Sequence, residues 1–397
     1  MRKITADYIF TEKGELKDNL VIITDNSGLI QQIDPIDQHN AGEIEHHKGI
    51  ITPGFINTHC HLELSHMKGK VDTGTKLIPF ITNVVQQRAA DDIEIQEAIA
   101  NADREMYEGG IVAVGDICNK LDTAKCKNKS AIRYYSFIEM FDFLQDAGAE
   151  KTYQEYLPVY EGQARKNGNI CTAVPHAPYS VSKTLFNKIN TLNKGKGTVS
   201  IHSQETPPEN ELFDDKTGAF LDFYKGFNIP LDQFEATGQH SIYYAMQQMD
   251  RACRTLFVHN TLNTAEDIAA AQAWGKNGVY WATCANANLY IENRLPNYRL
   301  FIEADAKMTI GTDSLTSNWQ LSILEEMKTI SRYQSYVPLT TLLTWATING
   351  AEALQFDDDL GSISAGKRPG LVLINGLDGN SIDKLRLGSG TFVKRII

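Results

Sequence analysis

Imidazoles and carboxylates recur in this chain at places where short apolar runs end. His59 and His61 stand two apart in a His-Cys-His step, and His202 and Glu205 share the segment HSQE. His176, His259 and Asp313 each follow a run of Val, Ile, Phe or Thr. Three imidazoles and one carboxylate suit a divalent transition metal and leave a position open for water. Such an ion lowers the pKa of its water to about 7, which makes hydroxide available at neutral pH. A carboxylate beside it, Glu205, is placed to shuttle a proton from the water to a leaving group.

Each of these residues also has a plainer reading. A His-x-His step alone is weak, and a lone histidine such as His259 on a buried strand is commonly a hydrogen-bonded core residue. Asp313 in GTDS can cap a helix, and Glu205 and Glu209 can lie on a solvated loop. Asp116 reads as a cap or an ion-pair partner, and Cys284 as a small buried hydrophobe. His66, five residues after His61, stays open. The coincidence outweighs the separate readings, because the chemically apt residues all fall at the ends of expected strands.

Those strands come from the pattern around the residues. FINTHCH (55–61), IVAVGDI (111–117), IRYYSFIE (132–139) and ICTAVPHA (170–177) are short, rich in β-branched and aromatic residues, and bounded by turns. TVSIHSQE (198–205), TLFVHN (255–260), VYWATCA (279–285) and MTIGTDS (308–314) complete a set of eight. Helical segments separate them, such as DIEIQEAIANADREMYEGG and AEDIAAAQAWGKNG, each ending at Gly. Eight strands alternating with helices predict an α/β chain with a (β/α)₈ TIM barrel, whose active site lies at the C-terminal strand ends. Alternate strand residues face one side, so His59 and His61 can both point into that mouth. The first fifty residues and the last forty read instead as turns and short strands. They predict a small β-sandwich formed by both termini, 1–50 with 358–397, flanking a barrel over 51–357.

Composition narrows the function. The chain has 397 residues, 42% hydrophobic and 22% charged, with a net charge of -11. That balance suits a globular enzyme and argues against nucleic acid, whose phosphates need a cationic face. No run approaches a transmembrane span, so no membrane partner is expected. The N-terminus lacks the apolar core of a signal peptide. The six cysteines include no CxxC pair, and a reducing, cytoplasmic setting is the simplest expectation.

PGFINTHCH, HAPYS, HSQET, FVHN, GTDS and the tail LGSISAGKRPGLVLING together resemble the amidohydrolase superfamily. The resemblance is to its cyclic-amidine deaminases and related chlorohydrolases, and it spans nearly the whole chain in motif order. It implies a barrel with a β-sandwich from both termini, and one divalent ion held by His59, His61, His202 and Asp313. It also implies Glu205 as proton shuttle, Asp313 as acceptor of the water proton, His259 as the group orienting or polarising near the attacking water, and His176 as a substrate contact. Neither the third nor the fourth strand carries a lysine for a carbamate bridge, so a single metal is implied, zinc first, with iron or manganese as alternatives.

Within that group, HCHLELSHMKG and HSQETPPENELF are similar to the aminodeoxyfutalosine deaminases. The implied reaction is hydrolytic deamination of an aminopurine nucleoside. Metal-bound hydroxide attacks the amine-bearing ring carbon and ammonia is released. A guanine deaminase or a chlorohydrolase-type enzyme is the runner-up, and a non-catalytic metal-binding scaffold is the third reading. The partner is a small-molecule substrate, with a homo-oligomer implied by the resemblance. Glu63 reads equally as a ribose contact and as a surface carboxylate. Phe80, Phe213 and Phe220 read as cover for the ribose or as a helix core face.

Overall fold

The computed structural model describes residues 1–397 and contains eight parallel strands with intervening helices. They are β1 (Phe55–Cys60), β2 (Ile111–Cys118), β3 (Arg133–Met140), β4 (Ile170–Pro175), β5 (Thr198–Ser203), β6 (Arg254–His259), β7 (Val279–Thr283) and β8 (Lys307–Ile310). Every residue of β1, β5 and β7 is buried, as strands covered on both faces must be. Each expected run overlaps a strand. β8 stops at Ile310, before the expected end, because the chain turns through Asp313, whose φ of 56° lies in the left-handed region.

Hydrogen bonding joins these strands as two four-stranded parallel sheets, β1-β2-β3-β4 and β5-β6-β7-β8, and not as the single continuous ring expected. Isolated bonds replace the ladder where the sheets meet. At one seam the His202 amide donates to the His176 carbonyl at 3.0 Å. At the other, the amides of Thr312 and Asp313 both donate to the His59 carbonyl, at 2.9 and 3.0 Å. Asn57 strengthens that seam. Its side-chain amide donates to Thr312 Oγ1 at 2.8 Å and its oxygen accepts the Thr312 amide at 3.1 Å. Gly311 is required here, since a Cβ would lie 2.7 Å from His59 Cβ and 2.9 Å from Cys284 Sγ.

The helices follow their local signals. The helix Asp92–Glu108 opens on Asp91, whose carboxylate accepts the Ile93 amide. The helix Ala265–Trp274 opens on a capping box between Thr264 and Asp267. The connection after β2 holds only one helical turn, Ala124–Lys127. No helix is long and apolar enough to cross a membrane.

Both termini meet, and the hydrogen bonds join their strands into a single seven-stranded mixed sheet. Its order is Phe392–Arg395, Leu371–Asn375, Glu45–Pro53, Arg2–Phe10, Leu20–Thr24, Ile30–Pro35, with Leu16–Lys17 paired to Arg2–Phe10. A separate core of nine residues, including Ile4, Ile22, Ile51 and Leu373, holds it together. The strand Glu45–Pro53 leads through Gly54 directly into β1, and so into the histidine pair.

Candidate metal centre and its mouth

The C-terminal ends of β1, β5, β6 and β8 bring His59, His61, His202, His259 and Asp313 together. His59 Nε2 and His61 Nε2 are 3.2 Å apart, and His61 Nε2 is 3.4 Å from His202 Nε2. Asp313 Oδ1 lies 3.3 Å from His61 Nε2 and 3.6 Å from His59 Nε2. An ion about 2.0–2.2 Å from four tetrahedral ligands sets those ligands roughly 3.3–3.6 Å apart. His59, His61 and His202 stand close enough to share one ion, Asp313 lies against His59 and His61, and these donors fit a borderline-soft divalent ion such as zinc.

The surroundings fix the donors in ligand form. The Nδ1 of His202 donates to the His176 carbonyl at 2.8 Å, which leaves its Nε2 lone pair facing the cluster. Burial pushes the imidazoles down, His61 to about 4 and His202 well below its usual range, so they are neutral at pH 7. Burial alone would raise Asp313, but the hydrogen bond from His59 and the neighbouring imidazoles hold it well below the usual carboxylate range. Ser317 donates to its other oxygen at 2.5 Å. Gln204 and His259 share positive φ values with Asp313, 48° and 73°. Such strain gathers where side chains must be aimed, not relaxed.

Glu205 is buried beside this cluster, its Oε2 3.6 Å from His259 Nε2. Burial, then the charges of Asp313, Glu209 and Glu292, push its carboxyl well above the ordinary value. A carboxyl whose pKa is raised in this way holds its proton to higher pH than a free one, as suits an acid–base group. The Nδ1 of His259 donates to Asn288 Oδ1 at 2.8 Å, which leaves its Nε2 free to accept from a water.

His61, His202, Glu205, His259 and Asp313 line one cleft. His176 lines it too, its ring 4.9 Å from that of His202 and its Nδ1 2.6 Å from Ser180 Oγ. Glu63 reaches the cleft, yet its Oε2 already accepts the amides of Asn119 and Lys120, at 3.1 and 3.2 Å, so it is no surface carboxylate. Of the three phenylalanines, only Phe80 lines the cleft. Phe213 and Phe220 are wholly buried in the core, where their helices Pro207–Asp215 and Ala219–Gly226 pack. Cys284 is buried outside the cleft, and His66 is spent on the Arg88 carbonyl at 2.9 Å. Asp116 forms a fully buried ion pair with Lys127 at 2.6 Å.

Among the residues that line the cleft, sequence reasoning missed Glu139, Asn119 and Arg88. Glu139 ends β3, as other site residues end theirs, and the strand-end rule could have found it. Its Oε1 has no hydrogen-bond partner and lies 3.7 Å from His202 Nδ1. Burial, then Glu63, pushes its carboxyl up to about 8. Asn119 and Arg88 carried no such signal, because they sit on a loop and at the end of a helix.

Residues 50–393 match the amidohydrolase family. An adenosine deaminase from Helicobacter pylori is 28% identical over 327 residues, 81% of this chain and 78% of the relative. An aminodeoxyfutalosine deaminase from Nitratiruptor is 25% identical over 389 residues, 94% of this chain and 91% of the relative. Among solved structures, Helicobacter pylori aminofutalosine deaminase in complex with methylthio-coformycin superposes with a TM-score of 0.79 at 22% identity, covering 100% of both chains. An adenosine deaminase from Xanthomonas campestris with bound zinc gives 0.70 at 20% identity, covering 94% of this chain and 84% of that one.

Proposed function

This chain belongs to the amidohydrolase family, and from that premise we propose that it is a hydrolytic deaminase of a 5′-modified adenine nucleoside, with aminodeoxyfutalosine the leading candidate. The observation that carries the reading is one cleft in which a set of metal-ligating donors stands beside a buried carboxyl whose pKa is raised. Its support at the level of substrate is that the relatives named for adenine nucleosides cover most of the chain. On the same reading the two half-sheets (51–357) form one (β/α)₈ barrel, and residues 1–50 with 358–397 form its accessory domain.

His59, His61, His202 and Asp313 hold one divalent ion, zinc first and iron or manganese next. When bound, that ion supplies the pull that makes water nucleophilic near neutral pH. The chain's own residues do the rest. His259 Nε2 accepts a hydrogen bond from the attacking water and aims it, and Asp313, held ionised, takes its proton. Glu205 donates a proton to the ring nitrogen beside the amine-bearing carbon as water adds there. A proton then passes to the amine, the C–N bond breaks, and ammonia leaves as the ring carbonyl forms. His176 and Glu63 face the nucleoside from the β4 and β1 sides. A scaffold without catalysis would have no use for a buried carboxyl such as Glu205 beside a complete donor set.

The test is ammonia release from metal-loaded protein, comparing kcat/KM for aminodeoxyfutalosine, adenosine, 5′-deoxyadenosine, methylthioadenosine and guanine. An adenine nucleoside should lead. Guanine winning by about tenfold or more, ~1.4 kcal/mol of transition-state binding, would replace this reading with the guanine deaminase one, and chloride release from a chlorotriazine with the chlorohydrolase one. Metal analysis should find about one equivalent per chain, lost in His61→Ala.

A further inference from the structure

Glu205 lies past the end of its strand, so the ladder of β5 does not hold it. The strand stops at Ser203, and Gln204 then turns through a φ of 48°. That is a left-handed conformation, which a residue with a Cβ keeps only where its surroundings impose it. The amides and carbonyls of Gln204 and Glu205 are buried beyond the ladder and need partners from elsewhere.

Glu209 partners the amides. Its Oε1 accepts the Gln204 amide at 2.9 Å and its Oε2 accepts the Glu205 amide at 3.1 Å, so one carboxylate spans both residues. Ser241 Oγ donates to the same Oε1 at 2.6 Å. Thr261, just past β6, partners the carbonyls. Its amide donates to the Gln204 carbonyl at 3.0 Å, and its hydroxyl meets the carbonyls of Gln204 and Glu205 at 3.1 and 2.9 Å. Glu209 is the third residue of the helix Pro207–Asp215, where a capping glutamate would reach back to the amide of the N-cap residue, Thr206. It reaches past Thr206 to the two residues before it. Nor does it lie on a solvated loop, because it is fully buried. Burial pushes its carboxyl up to about 7, against the pull of the Ser241 hydroxyl and the two amides. A buried carboxylate met by neutral donors alone is costly to keep, and what it secures here is the backbone of Glu205.

We propose that Glu209 and Thr261 are positioning residues that clamp the Gln204–Glu205 backbone and so aim the Glu205 carboxyl at the reacting ring. The proposal rests on the deaminase reading above, in which Glu205 delivers the proton. Neither residue lines the cleft, so both act through Glu205 and not on the substrate. Proton transfer needs the carboxyl within about 2.6–3.2 Å of its partner. A misplacement of about 1 Å can cost about 10²-fold in rate. The glutamate side chain is long and rotatable, and a loose backbone beneath it would add to that freedom.

The experiment is a double-mutant cycle on the metal-loaded full chain, with aminodeoxyfutalosine and adenosine as substrates. Values of kcat, KM and metal content are measured for wild type, Glu209→Gln, Thr261→Val and Glu205→Gln, and for each of the first two combined with the third. Glu209→Gln keeps the volume but turns an amide group towards one of the two backbone N–H groups. It should lower kcat about 10- to 100-fold, with KM and metal content near wild type. Thr261→Val, which removes the hydroxyl and keeps the shape, should lower kcat about 2- to 10-fold. In the Glu205→Gln background both losses should vanish, because residues that act as a unit are not additive. Near wild-type kcat in both single variants overturns the proposal, and so does a loss that persists undiminished once Glu205 is replaced. If Glu209→Gln does not fold, Thr261→Val carries the same cycle. Hydrogen exchange at the Gln204 and Glu205 amides separates these outcomes from failure of the deaminase reading. If wild type releases no ammonia from either nucleoside, that reading fails, and exchange still decides the clamp. Exchange about tenfold faster or more in Glu209→Gln upholds it, and unchanged exchange overturns it.

Discussion

Glu205 has one imidazole within reach and only carboxylates for its charged neighbours, so burial and repulsion together raise its pKa. It lies outside the proposed set of metal ligands, and removing its acidity should leave the metal in place. Glu205→Gln should therefore bind about one metal equivalent yet lose roughly 10²–10⁴ in turnover. Metal content and single-turnover rates measured on the same preparation check this, and a near wild-type rate would show the proton taking another route. The ligands make a second expectation, about pH. Burial depresses all three imidazoles, His61 to about 4, so protons compete with a bound metal less than they would at free imidazoles, which are half charged near pH 6.5. Equilibrium dialysis from pH 7 downward should find the metal retained through about pH 5 and released near 4. Release centred near 6.5 would mean that the imidazoles are solvated. These residues were legible in the sequence because each ends an apolar run. Glu139 ends one too, but without a histidine beside it the same signal passed unnoticed. Arg88 could not be found that way. What places it in the cleft is a set of bonds from Gly74–Leu77 to Tyr290–Glu292, and no local pattern encodes a contact across some two hundred residues of chain.

At the scale of elements, the weak point of β1 is the step that carries the ligands. Its pairing with β2 shifts register between Phe55 and Ile56, slips again across Thr58 and His59, and resumes at Cys60 opposite Asp116. The slip turns His59 and His61 inward, and something else must hold the backbone. Asp116 does so, its Oδ1 accepting the Leu62 amide at 2.7 Å, one residue past His61. Lys127 holds Asp116 at 2.6 Å and donates to Ser136 Oγ at 2.9 Å, with both charges fully buried. Breaking a buried pair from one side costs about 3–5 kcal/mol, whereas removing both charges can be close to neutral. Lys127→Met should therefore lower stability by about that amount and weaken metal binding about 10- to 100-fold. Adding Asp116→Asn, which keeps an acceptor for the Leu62 amide, should restore much of both losses. Urea unfolding and chelator competition on the two variants decide it, and equal losses in single and double variants would refute the tethering role. The sequence marked Asp116 as an ion-pair partner or cap and offered no hint of Lys127, because one helical turn after β2 is too short to carry a periodic signal.

Across the whole molecule, the sheet built from both termini has a core of only nine residues, too small to stand far from the body it touches. The sequence showed that the ends meet, since both ends are turn-rich and strand-like. It could not show that they close as one sheet and not two, because period-2 patterning states which face is buried and not which strands are neighbours. One side chain ties that sheet to the strands that carry the site. Arg395, in the last strand, donates through Nε and Nη2 to the Tyr107 carbonyl at 3.0 and 2.9 Å. Its Nη2 also donates to the Ile111 carbonyl at 2.9 Å, and its guanidinium stacks 3.9 Å from the centre of the Tyr107 ring. Ile111 opens β2, whose Asp116 positions the backbone beside His61, so this clamp joins the last strand to the candidate metal centre through a single strand. A charged donor in such bonds contributes about 1.5–3 kcal/mol, and stacking on the ring adds about 0.5–1. Arg395→Ala should therefore cost about 2–4 kcal/mol of stability. Because no ligand moves directly, the loaded variant should keep its metal equivalent at 25 °C and lose it on heating several degrees below wild type. Thermal unfolding followed together with metal release tests both halves. Loss of metal at room temperature would place the terminal sheet inside the site's own support, and an unchanged midpoint would show that the nine-residue core stands without the clamp.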